Sequence, residues 1–172
     1  GIGNSTIAAA MACASFGGDP ADWVGAGTGS DAEGMALKAL VIADGIARHG
    51  TDDPIRTLAN LGGRDQAASC GAVLAARAAC IPVLLDGYIC TAAVAPLAAA
   101  NPALLDHCLV GHASAEPGHA RLTKAMGKPP VLDFAMRLGE GTGAALALGI
   151  VKSALACHNG MATFAEAGVA DG

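Results

Sequence analysis

The sequence predicts an α/β fold of three layers, in which a parallel sheet carries helices on both faces. Two observations lead to this prediction. Gly-rich turns alternate with Ala-rich helical stretches, and three short apolar runs each follow a helical stretch and precede a polar turn. Consecutive parallel strands need such helices, because the connection between them crosses over in the right-handed sense. With 172 residues and a hydrophobic content of 53%, the chain is long enough to bury the core of one domain.

The N-terminal stretch predicts a helix followed by a long loop. The helix is expected from about Ser5 to Ser15, with Ser5 or Thr6 available as its cap. The Gly, Asp and Pro content of residues 17–29 predicts the loop.

Three more helices are predicted before the first strand. Asp31 is expected to cap a helix that runs to about Arg48. The apolar positions of this helix roughly follow the helical period; they are Met35, Leu37, Leu40, Val41 and Ile46. Pro54 begins a short helix, and Gly62-Gly63 separates it from another that runs to about Ala79.

The predicted strands are the runs Ile81–Leu85, Leu109–Gly111 and Val131–Phe134. Short apolar runs of this kind, followed by polar turns, are typical of buried strands in a parallel sheet. Ligands of such sheets bind at the carboxyl ends of the strands. Functional residues are therefore expected in the turns that follow, at 86–87, 111–119 and 137–143.

The turn after the third strand, Arg137–Ala145, carries one carboxylate, Glu140, among glycines at the start of a long apolar helix. A carboxylate there suits a general base, provided that an apolar pocket raises its pKa. The alternative is electrostatic, because a negative charge at a helix N-terminus is stabilised without any catalytic duty. The spacing alone leaves both interpretations open.

Two further Gly-rich turns, 1–6 and 25–29, each lead into a helix whose free N–H groups could hold a phosphate. Together they indicate a nucleotide ligand. Lys38 follows the second turn and suits either a phosphate counter-charge or a solvated surface lysine. Residues 27–32 fit the pattern GxGxxA, but no clear strand precedes them, which disfavours a dinucleotide site. The sequence contains no GxxxxGK[ST] motif of a P-loop kinase.

Several other classes are disfavoured. The net charge of −5, without a Lys/Arg cluster, is not expected to hold nucleic acid. His107, His112, Glu116 and His119 could be imagined as zinc ligands, but their spacing matches neither HExxH nor a Cys/His finger. Turn, capping and core roles are expected for them instead, with no metal. The absence of a GxSxG motif disfavours a serine hydrolase.

The six cysteines are too widely spaced for a CxxC pair and lie in Ala-rich surroundings, which predicts reduced, buried thiols in a cytoplasmic protein. The apolar runs are shorter than the roughly 20 residues that span a bilayer, so no membrane association is expected. Because the chain begins with Gly1 inside a motif, we expect it to be part of a longer protein.

Six segments carry a family resemblance: GIGNSTIAAA (1–10), GAGTG (25–29), LGGRDQAASCGAVLAARAACIPVLLDGYICTAA (61–93), SAEPGH (114–119), RLGEGTGAALAL (137–148) and MATFAEAGV (161–169). In this order they resemble the nicotinate-nucleotide–dimethylbenzimidazole phosphoribosyltransferases, and SAEPGH followed by RLGEGTGAALAL is highly specific. The resemblance implies a Rossmann-like nucleotide-binding domain over 1–150, itself the C-terminal part of a larger domain. It also implies that 151–172 is a C-terminal helical segment, part of a small helical domain.

The function implied by this resemblance is transfer of the 5-phosphoribosyl group from nicotinate mononucleotide to 5,6-dimethylbenzimidazole. The products would be α-ribazole 5′-phosphate and nicotinate, in the assembly of the lower ligand of cobalamin. The resemblance implies a glycosyltransferase without cofactor, active as a homodimer. Nicotinate leaves with the bonding electrons and loses its positive charge, so that no metal is required.

The resemblance also implies three sets of site residues. Glu140 matches the catalytic glutamate, and Leu138 and Gly139 would border the benzimidazole beside it. The phosphate and nucleotide would be held by Gly1, Gly3, Asn4, Ser5, Gly27, Thr28, Gly29, Lys38, Asp86, Gly87 and Ser114.

The chain departs from the family pattern in a few places. Gly111-His112 stands where a Ser-His pair is usual, Cys90 where a small hydroxyl residue is common, and Ser5 where Thr is frequent. Family members are also considerably longer, and the missing half supplies part of the acceptor pocket. The alternative function is therefore a catalytically incomplete fragment that binds nicotinate mononucleotide.

Overall fold

The computed structural model describes residues 3–27 and 29–170. Over these residues the chain forms eight α-helices, three strands and two short 3₁₀ helices. The α-helices are α1 (Asn4–Phe16), α2 (Ala32–His49), α3 (Pro54–Leu61), α4 (Arg64–Ala78), α5 (Tyr88–Ala93), α6 (Ala95–Ala100), α7 (Pro117–Ala125) and α8 (Thr142–Gly160). The strands are β1 (Val83–Leu85), β2 (Cys108–His112) and β3 (Pro130–Leu132), and the 3₁₀ helices are Pro20–Trp23 and Pro102–Leu105.

The strands form a parallel sheet in the order β1-β2-β3. Val83 pairs with Cys108 across the first ladder, and Val110 pairs with Pro130 across the second. Helices α5 and α6 connect β1 to β2, and α7 connects β2 to β3. The predicted α/β fold with a parallel sheet is therefore confirmed.

The two faces of β2 are covered by different helices. Cys108 and Val110 point into a core that also contains Cys70 and Val73 of α4 and Leu97 of α6. Successive side chains of a strand alternate between faces, so Gly111 points the other way, towards α8. There a Cβ atom on Gly111 would lie 3.0 Å from the Cα of Ala144. The backbone of α8 thus rests almost directly on β2, which explains why position 111 is a glycine.

Helix α1 is the centre of a second core. Its alanines Ala8, Ala9 and Ala12 are buried, and it packs against α2, α3, α5 and α6. Small side chains allow several helices to approach one helix closely, and the middle of α1 is thereby fixed in the interior while its first turn stays half-buried. The larger side chains around it are Trp23, Ile42, Tyr88 and Leu122.

The element boundaries agree with the sequence predictions to within a few residues, and two details differ: the cap of α1 and the burial of α2. The N-cap of α1 is Gly3, with φ +79°, and no side chain caps the helix, so the expected cap by Ser5 or Thr6 is wrong. Asp31 does cap α2, by accepting the N–H of Gly34 at 2.8 Å. The predicted apolar face of α2 is only partly buried. Three of its five positions are exposed to solvent: Leu37, Leu40 and Val41.

Helix α8 continues through residue 150 to Gly160, and residues 164–168 form turns. The division into a 1–150 domain and a 151–172 segment stays a prediction. In the described ranges we find no helix with both the length and the apolar character needed to cross a membrane. The expectation of six buried thiols holds for Cys13, Cys70 and Cys108, whereas three other free cysteines are exposed, at positions 80, 90 and 157.

Candidate active site

The carboxyl ends of the three strands meet at one edge of the sheet, where three loops leave it. Residues 86–87 follow β1, residues 113–116 follow β2 and residues 133–141 follow β3. The last two loops are joined by backbone hydrogen bonds, because the Ala113 N–H donates to the Leu132 carbonyl at 2.7 Å and the Ala115 N–H donates to the Met136 carbonyl at 3.3 Å. Residues of these loops that are far apart in sequence are therefore neighbours in space.

Glu140 occupies the middle of three consecutive left-handed residues. The φ angle is +78° at Gly139, +58° at Glu140 and +78° at Gly141. This region is unfavourable for a residue with a Cβ atom, and such strain is often found at functional sites. Thr142 fixes the turn from the helix side, because its N–H and its hydroxyl both donate to the Gly139 carbonyl, at 3.1 and 2.7 Å.

The cap of α8 comes from across the sheet, from Asp86. Oδ2 of this buried carboxylate accepts the N–H of Gly141 at 3.2 Å, and Oδ1 accepts the N–H of Ala144 at 2.9 Å. Glu140 is exposed, and its carboxylate makes no hydrogen bond to any residue that the structure describes. Glu140 therefore makes none of the hydrogen bonds that a capping role requires, and its carboxylate is free to meet a ligand.

His112 lies beneath this cap. Its Nδ1 is 3.1 Å from the Ala113 carbonyl, which can only accept, so Nδ1 carries the proton and donates. Its Nε2 is 3.9 Å from Oδ1 of Asp86, is buried, and has no hydrogen-bond partner within the described residues. The sequence predicts a turn, capping or core role for His112 and does not place it beside Asp86 at the sheet edge.

His119 connects the loops after β1 and β2. Its Nδ1 accepts the N–H of Ser114 at 2.9 Å, so its proton is on Nε2, which donates to Oγ1 of Thr91 at 3.3 Å. The Thr91 hydroxyl donates in turn to the Gly87 carbonyl at 2.8 Å. Burial, with a smaller effect of His112, lowers the pKa of His119 to about 4. A neutral imidazole is therefore part of the scaffold of this edge.

Glu116 connects the loop after β2 to the Gly-rich turn at 25–29. Its Oε1 accepts the N–H of Gly27 at 3.1 Å, while its own N–H donates to Oγ of Ser114 at 3.3 Å. Glycine is required at position 25, because a Cβ atom there would overlap the Glu116 carboxylate. A series of hydrogen bonds thus extends from the Gly27 turn through Ser114 to Gly87, and the preceding residue, Asp86, continues the network to the start of α8.

Three residues predicted to bind phosphate converge at Gly27. The Oγ of Ser5 and the Nζ of Lys38 lie 3.4 and 3.5 Å from the point that a Cβ atom on Gly27 would occupy. Ser5 is in the first turn of α1, whose N–H groups have no side-chain cap. No described carboxylate forms an ion pair with Lys38. We call this set the cradle; it comprises Gly3, Asn4, Ser5, Gly27, Gly29 and Lys38.

The other predicted site residues lie along the sheet edge. Gly87 is beside both Ser114 and His112, because a Cβ on Gly87 would lie 3.7 Å from the Ser114 Cβ and 2.9 Å from Nε2 of His112. Leu138 is 74% exposed in the loop before Glu140. Gly1 and Thr28 lie outside the described residues. No hydrogen bond or ion pair joins Glu140 to the described residues of the cradle; they are connected through the network.

Within the described ranges, no group of three or more His, Cys, Asp or Glu residues could hold a metal ion. Of the four zinc candidates weighed in the sequence, His107 lies apart from the edge, with Nε2 3.0 Å from the Val73 carbonyl. The other three make the contacts described above. Their roles depend on backbone partners, which residue spacing does not reveal.

Comparison with known proteins gives a family match over almost the whole chain. The family model described as "Phosphoribosyltransferase" (DBI_PRT) matches residues 1–169. A nicotinate-nucleotide–dimethylbenzimidazole phosphoribosyltransferase of Rhodobacter capsulatus is 63% identical over 169 residues, and one of Novosphingobium aromaticivorans is 59% identical over 174. These matches cover 98% and 100% of this chain but 51% and 52% of the relatives. The chain thus spans about half the length of the curated relatives it matches.

A solved structure matches to the same extent. The crystal structure of CobT from Thermus thermophilus aligns with 99% of this chain and 51% of its own, with a TM-score of 0.92 and 41% sequence identity. The sheet and the helices around it are therefore arranged as in that protein.

Proposed function

Because the chain belongs to this phosphoribosyltransferase family, we propose that it binds nicotinate mononucleotide and transfers its 5-phosphoribosyl group to 5,6-dimethylbenzimidazole. The products would be nicotinate and α-ribazole 5′-phosphate. The observation that carries the proposal is the exposed carboxylate of Glu140 at the sheet edge, held in a strained turn while Asp86 caps the helix. The names of the relatives support the choice of substrates.

The proposed role of Glu140 is that of general base. One ring nitrogen of the benzimidazole attacks C1′ of the ribose, while the bond from C1′ to the pyridinium nitrogen breaks and its electron pair stays on that nitrogen. The attacking ring becomes cationic, and the proton on its other nitrogen moves to the carboxylate of Glu140. A positioned base contributes roughly 10²- to 10⁴-fold to the rate. The negative carboxylate would also stabilise positive charge that develops on the ribose.

The proposed role of the cradle is to hold the 5′-phosphate. The uncapped N–H groups at the start of α1 and the ammonium of Lys38 provide the donors and the positive charge that a phosphate needs. The left-handed Gly27 leaves the space between Ser5 and Lys38 open, because it has no side chain. The family resemblance adds Gly1 and Thr28 to this set.

The remaining site residues are proposed from the family pattern and from their place on the edge. Ser114 and the Asp86-Gly87 pair would lie beside the ribose and nicotinate, and Leu138 and Gly139 would border the acceptor base. The exposure of the apolar Leu138 next to Glu140 supports contact with an aromatic ring. We also propose a cytoplasmic homodimer, as the resemblance implies, with residues 1–150 as the nucleotide-binding domain and 151–172 as a helical segment.

A second function is supported by the openness of the acceptor side. Glu140 and Leu138 are both exposed, and the chain covers about half of its relatives. On this alternative the chain binds nicotinate mononucleotide but does not hold the acceptor, so no product forms.

The two functions are separated by mixing the protein with both substrates and measuring released nicotinate. Transfer predicts nicotinate release that depends on dimethylbenzimidazole and is lost in Glu140→Gln. The matched control is Asp106→Asn, an exposed carboxylate just before β2 at the opposite edge of the sheet; it should react like the wild type. Binding of the nucleotide without release supports the second function, and the absence of binding contradicts both.

A further inference from the structure

Asp86 fixes the backbone on one side of Glu140, and we propose that it is a positioning residue for the catalytic carboxylate. The inference rests on the proposed function of Glu140. Asp86 is 55 residues from Gly141 and 58 from Ala144, yet both of its oxygens bind the start of α8. Its side chain is 9% exposed, and hydrogen bonds to a shielded charge are stronger than those between neutral groups.

The position of the bond to Gly141 explains why it acts on Glu140. The N–H of Gly141 lies in the peptide plane that joins Glu140 to Gly141, so fixing its direction restricts ψ of Glu140. The carbonyl of Gly139 lies in the peptide plane on the other side of Glu140 and is held by Thr142. Asp86 and Thr142 therefore fix both peptide planes that flank the base.

These hydrogen bonds hold Glu140 in a strained backbone conformation. A glutamate with φ +58° would relax towards the right-handed or extended regions if its neighbours allowed it. A relaxed turn would carry the carboxylate away from its place at the sheet edge, while the helix behind it remained formed. Asp86 prevents this relaxation by connecting the turn to the end of β1.

His112 completes the arrangement from below. The side chain of His112 is 1% exposed. Its imidazole ring packs against Gly143, and a Cβ atom on Gly143 would overlap that ring. It shields Asp86 from water on that side, and its Nε2 is 3.9 Å from Oδ1, too far for a hydrogen bond. The carboxylate of Asp86 thus has the N–H groups of Gly141 and Ala144 as its hydrogen-bond donors among the described residues.

The test begins with the wild-type protein, by amide hydrogen exchange measured residue by residue with NMR. The N–H groups of Gly141 and Ala144 should be protected. In Asp86→Asn they should exchange roughly 10-fold faster or more, because the amide of asparagine offers one acceptor in place of two. Asp53→Asn is the control for a general effect of the substitution: Asp53 also accepts two N–H groups at the start of a helix, both through Oδ1, and its replacement should leave exchange at Gly141 and Ala144 unchanged. Unprotected amides in the wild type would overturn the proposal even if the variant did not fold.

Kinetics then decide whether Asp86 acts through Glu140. We expect Asp86→Asn to lower kcat for nicotinate release by roughly 10- to 100-fold with little change in KM for the nucleotide. In a Glu140→Gln background the same substitution should change kcat less than about twofold, because the group that it positions is already lost. Equal losses in both backgrounds, or a rise in KM alone, would show that Asp86 acts on the nucleotide and not through Glu140, and would overturn the proposal.

Failure of the proposed function gives a different result. If Glu140→Gln releases nicotinate as fast as the wild type, Glu140 is not the base, whatever Asp86 does. If the wild type releases none, exchange at Gly141 and Ala144 still decides whether Asp86 holds the turn: faster exchange in Asp86→Asn alone supports it, and unchanged exchange contradicts it.

Discussion

The backbone nitrogen of Ser114 donates to Nδ1 of His119 over 2.9 Å, and this hydrogen bond requires that Nδ1 carries no proton. Protonation of Nδ1 would place two donors face to face and would break the connection between the loops after β1 and β2. The pKa of His119, lowered to about 4 by burial, agrees with this requirement. The loop that carries Ser114 therefore depends on an uncharged histidine.

We expect the free energy of unfolding to fall as the pH drops from about 6.5 to about 4. In this window the unfolded chain takes up a proton at His119 that the folded chain excludes, so protonation favours unfolding. The contribution is complete above about 6.5, is lost below about 4, and amounts to at most roughly 3 kcal/mol. Urea unfolding across this range measures it.

Two variants, one test and one control, check that His119 causes this pH dependence. His119→Asn keeps an acceptor for the Ser114 N–H but does not titrate, so it should remove this part of the pH dependence. His49→Asn removes an exposed histidine at the end of α2 and should leave the dependence as it is. Identical pH profiles for His119→Asn and the wild type would contradict the assignment.

Lys38→Met should weaken binding of nicotinate mononucleotide by roughly 10- to 100-fold, because an ion pair with phosphate is lost. The phosphate is bound equally before and during the reaction, so KM should rise while kcat changes little. Titration calorimetry and nicotinate release measure the two quantities. Lys124→Met, in the last turn of α7, is the control and should bind normally. A fall in kcat at unchanged KM would show that Lys38 does not hold the phosphate.

Gly27→Ala should reduce nucleotide binding for two reasons: the new methyl group occupies the proposed phosphate site, and alanine is strained at a positive φ. Its Cβ atom would stand between Ser5 and Lys38, and φ is +57°. Gly127 offers a matched control, because its φ is +64° and a Cβ there would meet nothing within 4 Å. Both variants should lose about 1 kcal/mol of stability. Only Gly27→Ala should lose nucleotide binding, and equal binding by the two variants would place the phosphate elsewhere.

Glycine at position 140 should be more stable than alanine by about 1 kcal/mol, although neither variant can act as a base. At φ +58° alanine keeps the strain of the left-handed turn and glycine relieves it. Thermal unfolding of Glu140→Gly and Glu140→Ala measures the difference. The reverse order, with alanine more stable than glycine, is usual where φ is negative and would disprove a left-handed turn at position 140.

The sheet could be predicted from the sequence because its strands are short apolar runs between helical stretches. Leu109–Gly111 lies within β2, and Ile81–Leu85 contains β1. Prediction was weakest where the helical period is absent. Residues 88–100 are almost uniformly apolar and show no helical face, so the sequence did not delimit α5 and α6. Helix α1 begins at the left-handed Gly3 without a side-chain cap. The sequence suggested a cap because Ser5 and Thr6 stand close to this position.

The site was only partly predictable, for a physical reason. Lys38 and the Gly-rich turns are recognisable because charge and glycine are visible in the sequence. The role of Asp86 as a helix cap is not, since its partners are backbone N–H groups more than 50 residues away and every residue type except proline offers one. The same holds for His119 and Glu116, whose partners are the N–H groups of Ser114 and Gly27.

The close crossing of α8 over β2 has a consequence for protein engineering. Where Gly111 faces Ala144, there is no room for larger side chains, and mutant libraries placed there would mostly yield proteins with a displaced helix. Residues 133–138, by contrast, are mostly exposed and lead directly to the turn at 139–141. Substitutions meant to vary the surroundings of Glu140 belong in that short segment, where the side chains can change while the sheet and helices beneath them keep their packing.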